Sequence, residues 1–68
     1  GETQVFITSI QEKNTLVEYV SANILITTTN QEINLGSPLP VGNYRIKYFT
    51  TDIIGNESNA TRNLNVNS

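Results

Sequence analysis

The side chains able to do chemistry are few and nearly all of one kind. Six carboxylates stand in a chain of 68 residues that has no Cys, His, Met or Trp. Zinc therefore lacks its usual sulfur and imidazole ligands, and no side chain has an ordinary pKa near neutrality. Glu12 and Glu18 invite reading as an acid/base pair. No nucleophile motif accompanies them, and scattered carboxylates on a polar surface are as a rule simply solvated. Asp52, Glu57 and the side-chain oxygen of Asn56 are hard oxygen ligands of the kind calcium takes. Calcium requires six to eight such oxygens, so these three fall short unless a neighbouring domain adds more. The same stretch has a plainer chemistry. Gly55 suits a positive φ, Asn56 tolerates the left-handed region, and Asp52 can accept hydrogen bonds from loop amides. Asp52, Gly55 and Asn56 are thus expected to specify a hairpin turn. No catalytic, cofactor-binding or metal-binding residue is assigned.

Weaker candidates surround that turn. Arg62 shares a strand face with Leu64 and Val66. It either keeps its head in water near the end of the sheet or bonds Asp52 or a backbone carbonyl across the hairpin. Asn56-Glu57-Ser58 and Asn59-Ala60-Thr61 have the form of glycosylation sequons, which Asn/Ser/Thr-rich stretches also produce by chance. Tyr19, Tyr48 and Phe49 could contribute to a sugar-binding platform. Phe49 stands out because its parity puts it with Arg45 and Lys47, although cover by a neighbouring strand or partner domain is the simpler expectation.

The elements that must carry these residues read as strands. Residues 3–10, TQVFITSI, alternate, with Val5 and Ile7 on one face and Phe6, Thr8 and Ile10 on the other. QEKN is a polar turn. LVEYV (16–20), NILITTT (23–29) and EINLG (32–36) are rich in strand formers, and SPLPVGN (37–43) is a loop or corner. YRIKYFTT (44–51) puts Tyr44, Ile46 and Tyr48 on one face and Arg45 and Lys47 on the other. In the last strand Ala60, Leu64 and Val66 oppose Thr61, Asn63 and Asn65. Residues 15–24 also admit a helix, since Thr15 and Glu18 have capping-box spacing and Leu16, Tyr19 and Val20 fall at helical intervals. The β-branched content favours two strands with a bend near residues 21–23.

One domain is expected at this length, with only about 60% of the unfolded surface buried. Stability must come from backbone pairing and a small core, helped by neighbouring domains, because disulfides and zinc are excluded. Lys13, Arg45, Lys47 and Arg62 are too few and scattered for a nucleic-acid footprint or a polybasic membrane patch. No run approaches the roughly 18 apolar residues of a membrane span. The chain lacks an initiator Met and a signal peptide, so it reads as a module excised from a longer chain, with Gly1 a candidate cloning remnant. Ten Asn and many Thr suit a secreted or cell-surface module. Five to seven short strands without a convincing helix imply an all-β antiparallel sandwich or small barrel.

The pattern LPVGNYRIKYFTTDIIGNES…TRNLNV resembles the C-terminal half of bacterial Ig-like domains and the related hyalin-repeat modules. Leu39, Gly42, Tyr44, Ile46, Tyr48, Thr51, Asp52, Gly55 and Asn56 match, and Arg62, Leu64 and Val66 fit the last strand. The match covers about residues 39–67, and the N-terminal half departs from it. The resemblance implies an immunoglobulin-like antiparallel β-sandwich of six to seven short strands. Tyr44, after a Leu-x-x-Gly corner, would then pack inward and bond backbone through its hydroxyl. The resemblance also implies a non-catalytic spacer or adhesive module of a large secreted or surface-anchored bacterial protein. Its termini would lie near opposite ends, and residues near Gly1 and Ser68 would meet the next copy. Partners would be neighbouring domains and a host or cell-surface protein or glycan; some arrays of this kind hold calcium at domain junctions, but the structural turn is the favoured reading here and no cofactor is expected. The alternative is a carbohydrate- or protein-binding accessory domain of a secreted enzyme.

Overall fold

The computed structural model describes residues 3–67. They form four strands in one antiparallel sheet: β1 (Thr3–Glu12), β2 (Ile24–Ile26), β3 (Gly42–Asp52) and β4 (Glu57–Val66). The order across the sheet is β2-β1-β3-β4. The all-β expectation holds. Four strands, rather than six to seven, are present among the described residues.

β3 and β4 form an unbroken hairpin from Gly42↔Val66 to Thr51↔Glu57. Directly opposed residues share a face, so Tyr44, Ile46 and Tyr48 stand beside Leu64, Arg62 and Ala60. That is the face expected from the alternation. Arg45, Lys47 and Phe49 occupy the other face.

β1 departs from simple alternation. Ile7 opposes Tyr48 and Ser9 opposes Lys47, leaving Thr8 as the extra residue of a bulge. The extra residue shifts the face of everything beyond it. Ile7 and Ile10 therefore face the same way, and both are buried beside Tyr44. The expected division, with Ile7 and Ile10 on opposite faces, is corrected by this one residue. The face they share, called inner here, holds the core: Ile7, Ile10 and Tyr44, ringed by Tyr19, Val20, Ile24, Ile26, Ile33, Leu35, Leu39, Ile46, Tyr48 and Val66.

The inner face is covered by the irregular connection between β2 and β3. Ile33 and Leu35 alternate inward from it, as strand residues would, but no ladder forms. Polar side chains take the backbone groups instead. Gln31 accepts from the Thr27 amide at 2.6 Å and donates to the Leu25 carbonyl at 3.0 Å. Asn34 accepts from the Gly36 amide at 2.8 Å. Pro38 and Pro40 then remove two donors. The strand expected over 32–36 is absent for these reasons. The cover stops short of β4, whose residues are exposed except for half-buried Val66.

Residues 15–20 form neither a helix nor a named strand. They run beside the end of β1, held by Glu12 N–H to the Val17 carbonyl (3.0 Å) and Tyr19 N–H to the Ile10 carbonyl (2.8 Å), with a single bridge between Gln11 and Glu18. Thr15 and Glu18 make no capping box. The Thr15 hydroxyl accepts from Val17 N–H at 3.3 Å, while Glu18 reaches across to β1. Its carboxylate accepts from the Ser9 hydroxyl at 2.6 Å and the Ile10 amide at 2.8 Å.

Candidate functional site

The turn between β3 and β4 is clamped by one side chain. Asp52 Oδ1 accepts from Ile54 N–H at 3.0 Å and Asn56 N–H at 2.9 Å, and Oδ2 accepts from Asn56 Nδ2 at 3.0 Å. Two backbone bonds close the same loop, Asp52 N–H to the Asn56 carbonyl (3.1 Å) and Gly55 N–H to the Asp52 carbonyl (3.2 Å). Gly55 sits at φ +90. Donation by the Asn56 amide, and then by its side chain and Ile54, holds the Asp52 carboxyl below its ordinary value. Both oxygens of Asp52 are thus engaged inside the turn. Among the described residues, no three His, Cys, Asp or Glu gather where they could hold a metal ion.

What this clamp presents is apolar. Ile53 and Ile54, the first two of the four residues between β3 and β4, are 75% and 79% exposed, the most exposed large hydrophobics described. Sequence reasoning assigned the turn to Asp52, Gly55 and Asn56 and passed over the two isoleucines between them. Their presence inside a polar turn signature was the available signal.

The opposite end of the sheet is apolar as well. A recess of about 350 Å³ lies between the turn after β1 and the start of β3, walled by Val17, Tyr19, Pro40 and Val41 with Tyr44 beneath. Tyr44 has no exposed surface. Its hydroxyl donates to the Pro40 carbonyl at 2.6 Å, and its ring meets Tyr19 edge-on at 5.8 Å. Burial, with Tyr19 and Glu12 nearby, pushes the Tyr44 phenol above its ordinary value. Val17 and Val41 of its lining are exposed, as is Leu16, the residue before Val17. Leu16 is the only non-glycine described with positive φ, at 63°, a conformation that costs an L-residue about 1–2 kcal/mol.

Glu12 is buried and Glu18 exposed, and each carboxylate is engaged by backbone amides. Glu12 is 7% exposed, and its Oε2 accepts from the amides of Asn14 (2.9 Å) and Thr15 (2.5 Å), closing the turn after β1. The Thr15 and Asn14 amides hold its carboxyl below its ordinary value. Burial pushes Glu18 up, but donation by Ser9, Ile10 and Val20 outweighs it and the net shift is downward. Both are ionised at neutral pH, and both fasten loops to β1.

The aromatic platform is divided by the sheet. Tyr19 and Tyr48 belong to the inner face, whereas Phe49 lies outward with Arg45 and Lys47 as expected. Its cross-strand neighbours are Phe6 and Asn59, and Phe6 in turn opposes Leu25. Phe6 was missed because β1 alternation alone does not say which residue of β3 it meets. Arg62 opposes Ile46 in mid-strand, five positions from Glu57. At about 3.4 Å per residue that is roughly 17 Å from the Asp52 turn, which excludes a bond to Asp52. Asn56 is engaged in the turn and Asn59 is exposed on the outer face. The basic residues do not gather: Arg45 and Lys47 are outward, Arg62 inward, and Lys13 lies in the turn beyond β1. No helix among the described residues is long and apolar enough to cross a membrane.

Comparison of the chain with family models, with curated proteins and with solved structures gives no match.

Proposed function

We propose that this chain is a non-catalytic spacer or adhesive module of immunoglobulin-like type, working in a large secreted or cell-surface bacterial protein. The carrying observation is the path of the chain. Thr3 opposes Asp52 at one end of the sheet, and Val66 opposes Gly42 at the other. The molecule measures 41 × 21 × 19 Å, so the chain enters at one pole of a short rod and leaves at the other.

Load along that rod falls on the right bonds. β1 and β4 flank β3 and run in the same direction, each antiparallel to it. Pulling on Thr3 and Val66 drags β1 and β4 in opposite senses along β3. The ladder bonds lie perpendicular to the strands, and both ladders run nearly the whole length of β3. They are loaded together in shear rather than peeled in turn.

The immunoglobulin-like assignment is supported by the Tyr44–Pro40 bond, which has the form of a tyrosine corner. It is also supported by the connection carrying Ile33, Leu35 and Leu39, which lies over the inner face where a second sheet of a sandwich would pack. The test is single-molecule pulling of one copy between inert handles. A discrete unfolding event under load is expected. Extension at no more force than an unstructured chain needs would refute the spacer reading.

The accessory-domain alternative rests on the outer row Leu25–Phe6–Phe49, in which Leu25 is 41% exposed. Binding to a polysaccharide that is lost in Phe49→Ala would favour it.

A further inference from the structure

We infer that the Ile53–Ile54 tip of one copy docks into the Val17/Tyr19/Pro40/Val41 recess of a second copy of this chain, head to tail. The inference deepens the spacer reading and rests on it. Four observations converge. The tip is apolar, nearly fully exposed and held in one shape by the five hydrogen bonds around Asp52, so little freedom is lost when it docks. The recess at the other pole is concave and mostly apolar, with Glu12, Asn14 and Thr15 also in its lining, and is backed by the Tyr44 ring, whose hydroxyl is bonded to Pro40. Leu16, the residue before Val17 of the recess, is held in a left-handed conformation with its side chain 62% exposed, and strain of that kind gathers at functional surfaces.

The fourth observation is chain direction. The recess lies at the pole where β4 ends, and the tip lies at the pole where β1 begins. In a tandem array each copy therefore turns its recess toward the tip of the copy that follows. The two surfaces are different patches, so the contact is heterologous and extends in line without closing.

Two isoleucines on a turn cover far less than the roughly 1,200 Å² of a stable interface between free molecules. The contact is thus weak in trans. A short linker, which supplies an effective concentration of about millimolar, is what makes it persist in cis.

The experiment uses the 68-residue chain at millimolar concentration in sedimentation velocity, where head-to-tail growth is expected to raise the weight-average mass continuously above the monomer's 7.5 kDa. I53S/I54S and V41S each change only exposed residues, and retained far-UV circular dichroism confirms that they fold. Each alone is expected to stay at the monomer mass. Mixed together they are expected to stop at the dimer, because one good tip and one good recess remain. Absence of association by the parent chain, or association that survives either variant, overturns the inference. The pulling experiment on a single copy reads the spacer function without any docking. Failure of docking with mechanical resistance intact therefore removes only this inference, and loss of resistance removes the spacer reading whatever the sedimentation shows.

Discussion

Ile7 and Ile10 lie three apart on β1, yet they meet Tyr48 and Ile46, which lie two apart on β3. The difference is absorbed by Thr8, whose hydroxyl reaches the Lys47 carbonyl at 3.3 Å. Ile7 and Ile10 share the inner face with Tyr44 only because Thr8 is bulged out of the ladder.

Deleting Thr8 should therefore be tolerated. The remaining residues form a regular ladder in the same register, with both isoleucines still inward. The melting temperature is expected to stay within about 8 °C of the parent, the span of roughly 1 kcal/mol in a domain this size. Deleting Lys47 from the unbulged β3 reverses the faces of half that strand and should abolish cooperative unfolding. Circular dichroism melts of both variants provide the check, and equal damage from the two would contradict the bulge.

Gly55→Ala should destabilise by about 1–2 kcal/mol through backbone conformation alone. An added Cβ at Gly55 meets nothing within 4 Å, so no steric clash contributes. Gly55→Asn should cost less, because Asn enters the left-handed region more readily. Urea midpoints for the three proteins should fall in the order Gly, Asn, Ala.

Tyr44→Phe keeps the buried ring and removes the bond to the Pro40 carbonyl. Loss of one net hydrogen bond should lower the melting temperature by about 4–8 °C. An unchanged melting temperature would mean that the corner is held by packing alone.

Leu16→Asn should stabilise the isolated chain by up to about 1 kcal/mol, since it relieves an unfavourable φ at an exposed site. Chemical denaturation reads this directly, and a loss of stability would show that the Leu16 side chain makes a compensating contact.

Glu12, Glu18 and Asp52 all hold protons less tightly in the folded chain than their ordinary values of 4.5, 4.5 and 3.8. A depressed carboxyl stabilises the fold fully above its unfolded value and loses that contribution as pH falls toward its folded value. The melting temperature is thus expected to be level from pH 7 to 5 and to decline as pH drops below about 4.5. A level profile down to pH 3 would show that these hydrogen bonds do not favour the ionised forms.

The β3–β4 hairpin could be read from the sequence because its alternation is unbroken and its turn carries residues with one evident purpose. Tyr44 was legible through the Leu-x-x-Gly corner before it, which resembles a tyrosine corner, and because a buried phenol needs a nearby acceptor. The bulge was not legible. Thr8 and Ser9 are ordinary strand residues, and only the pairing reveals which one is extra. Ile33 and Leu35 do alternate inward as the pattern required, yet side chains such as Gln31 and Asn34 consumed the groups a ladder would have used. The Ile53–Ile54 tip escaped notice because turn residues are read for backbone geometry, and apolar ones among them pass as spacers. Glu18 escaped because its partner amide, that of Ile10, belongs to a strand eight residues back.

The strand order also has a consequence for the time course of folding. β3 and β4 are neighbours in sequence and can zip locally, whereas β1 must wait for β3, from which it is separated by the whole connection. Long-range closures of this kind are slow. At ordinary synthesis rates the roughly thirty intervening residues take about 2–6 s to make. Until β3 follows, VFITSI, a β-branched and uncharged segment of the type that pairs promiscuously, has only the three-residue β2 to pair with. Delayed completion therefore leaves β1 the segment longest open to wrong pairing, and its long ladder with β3 the last to close.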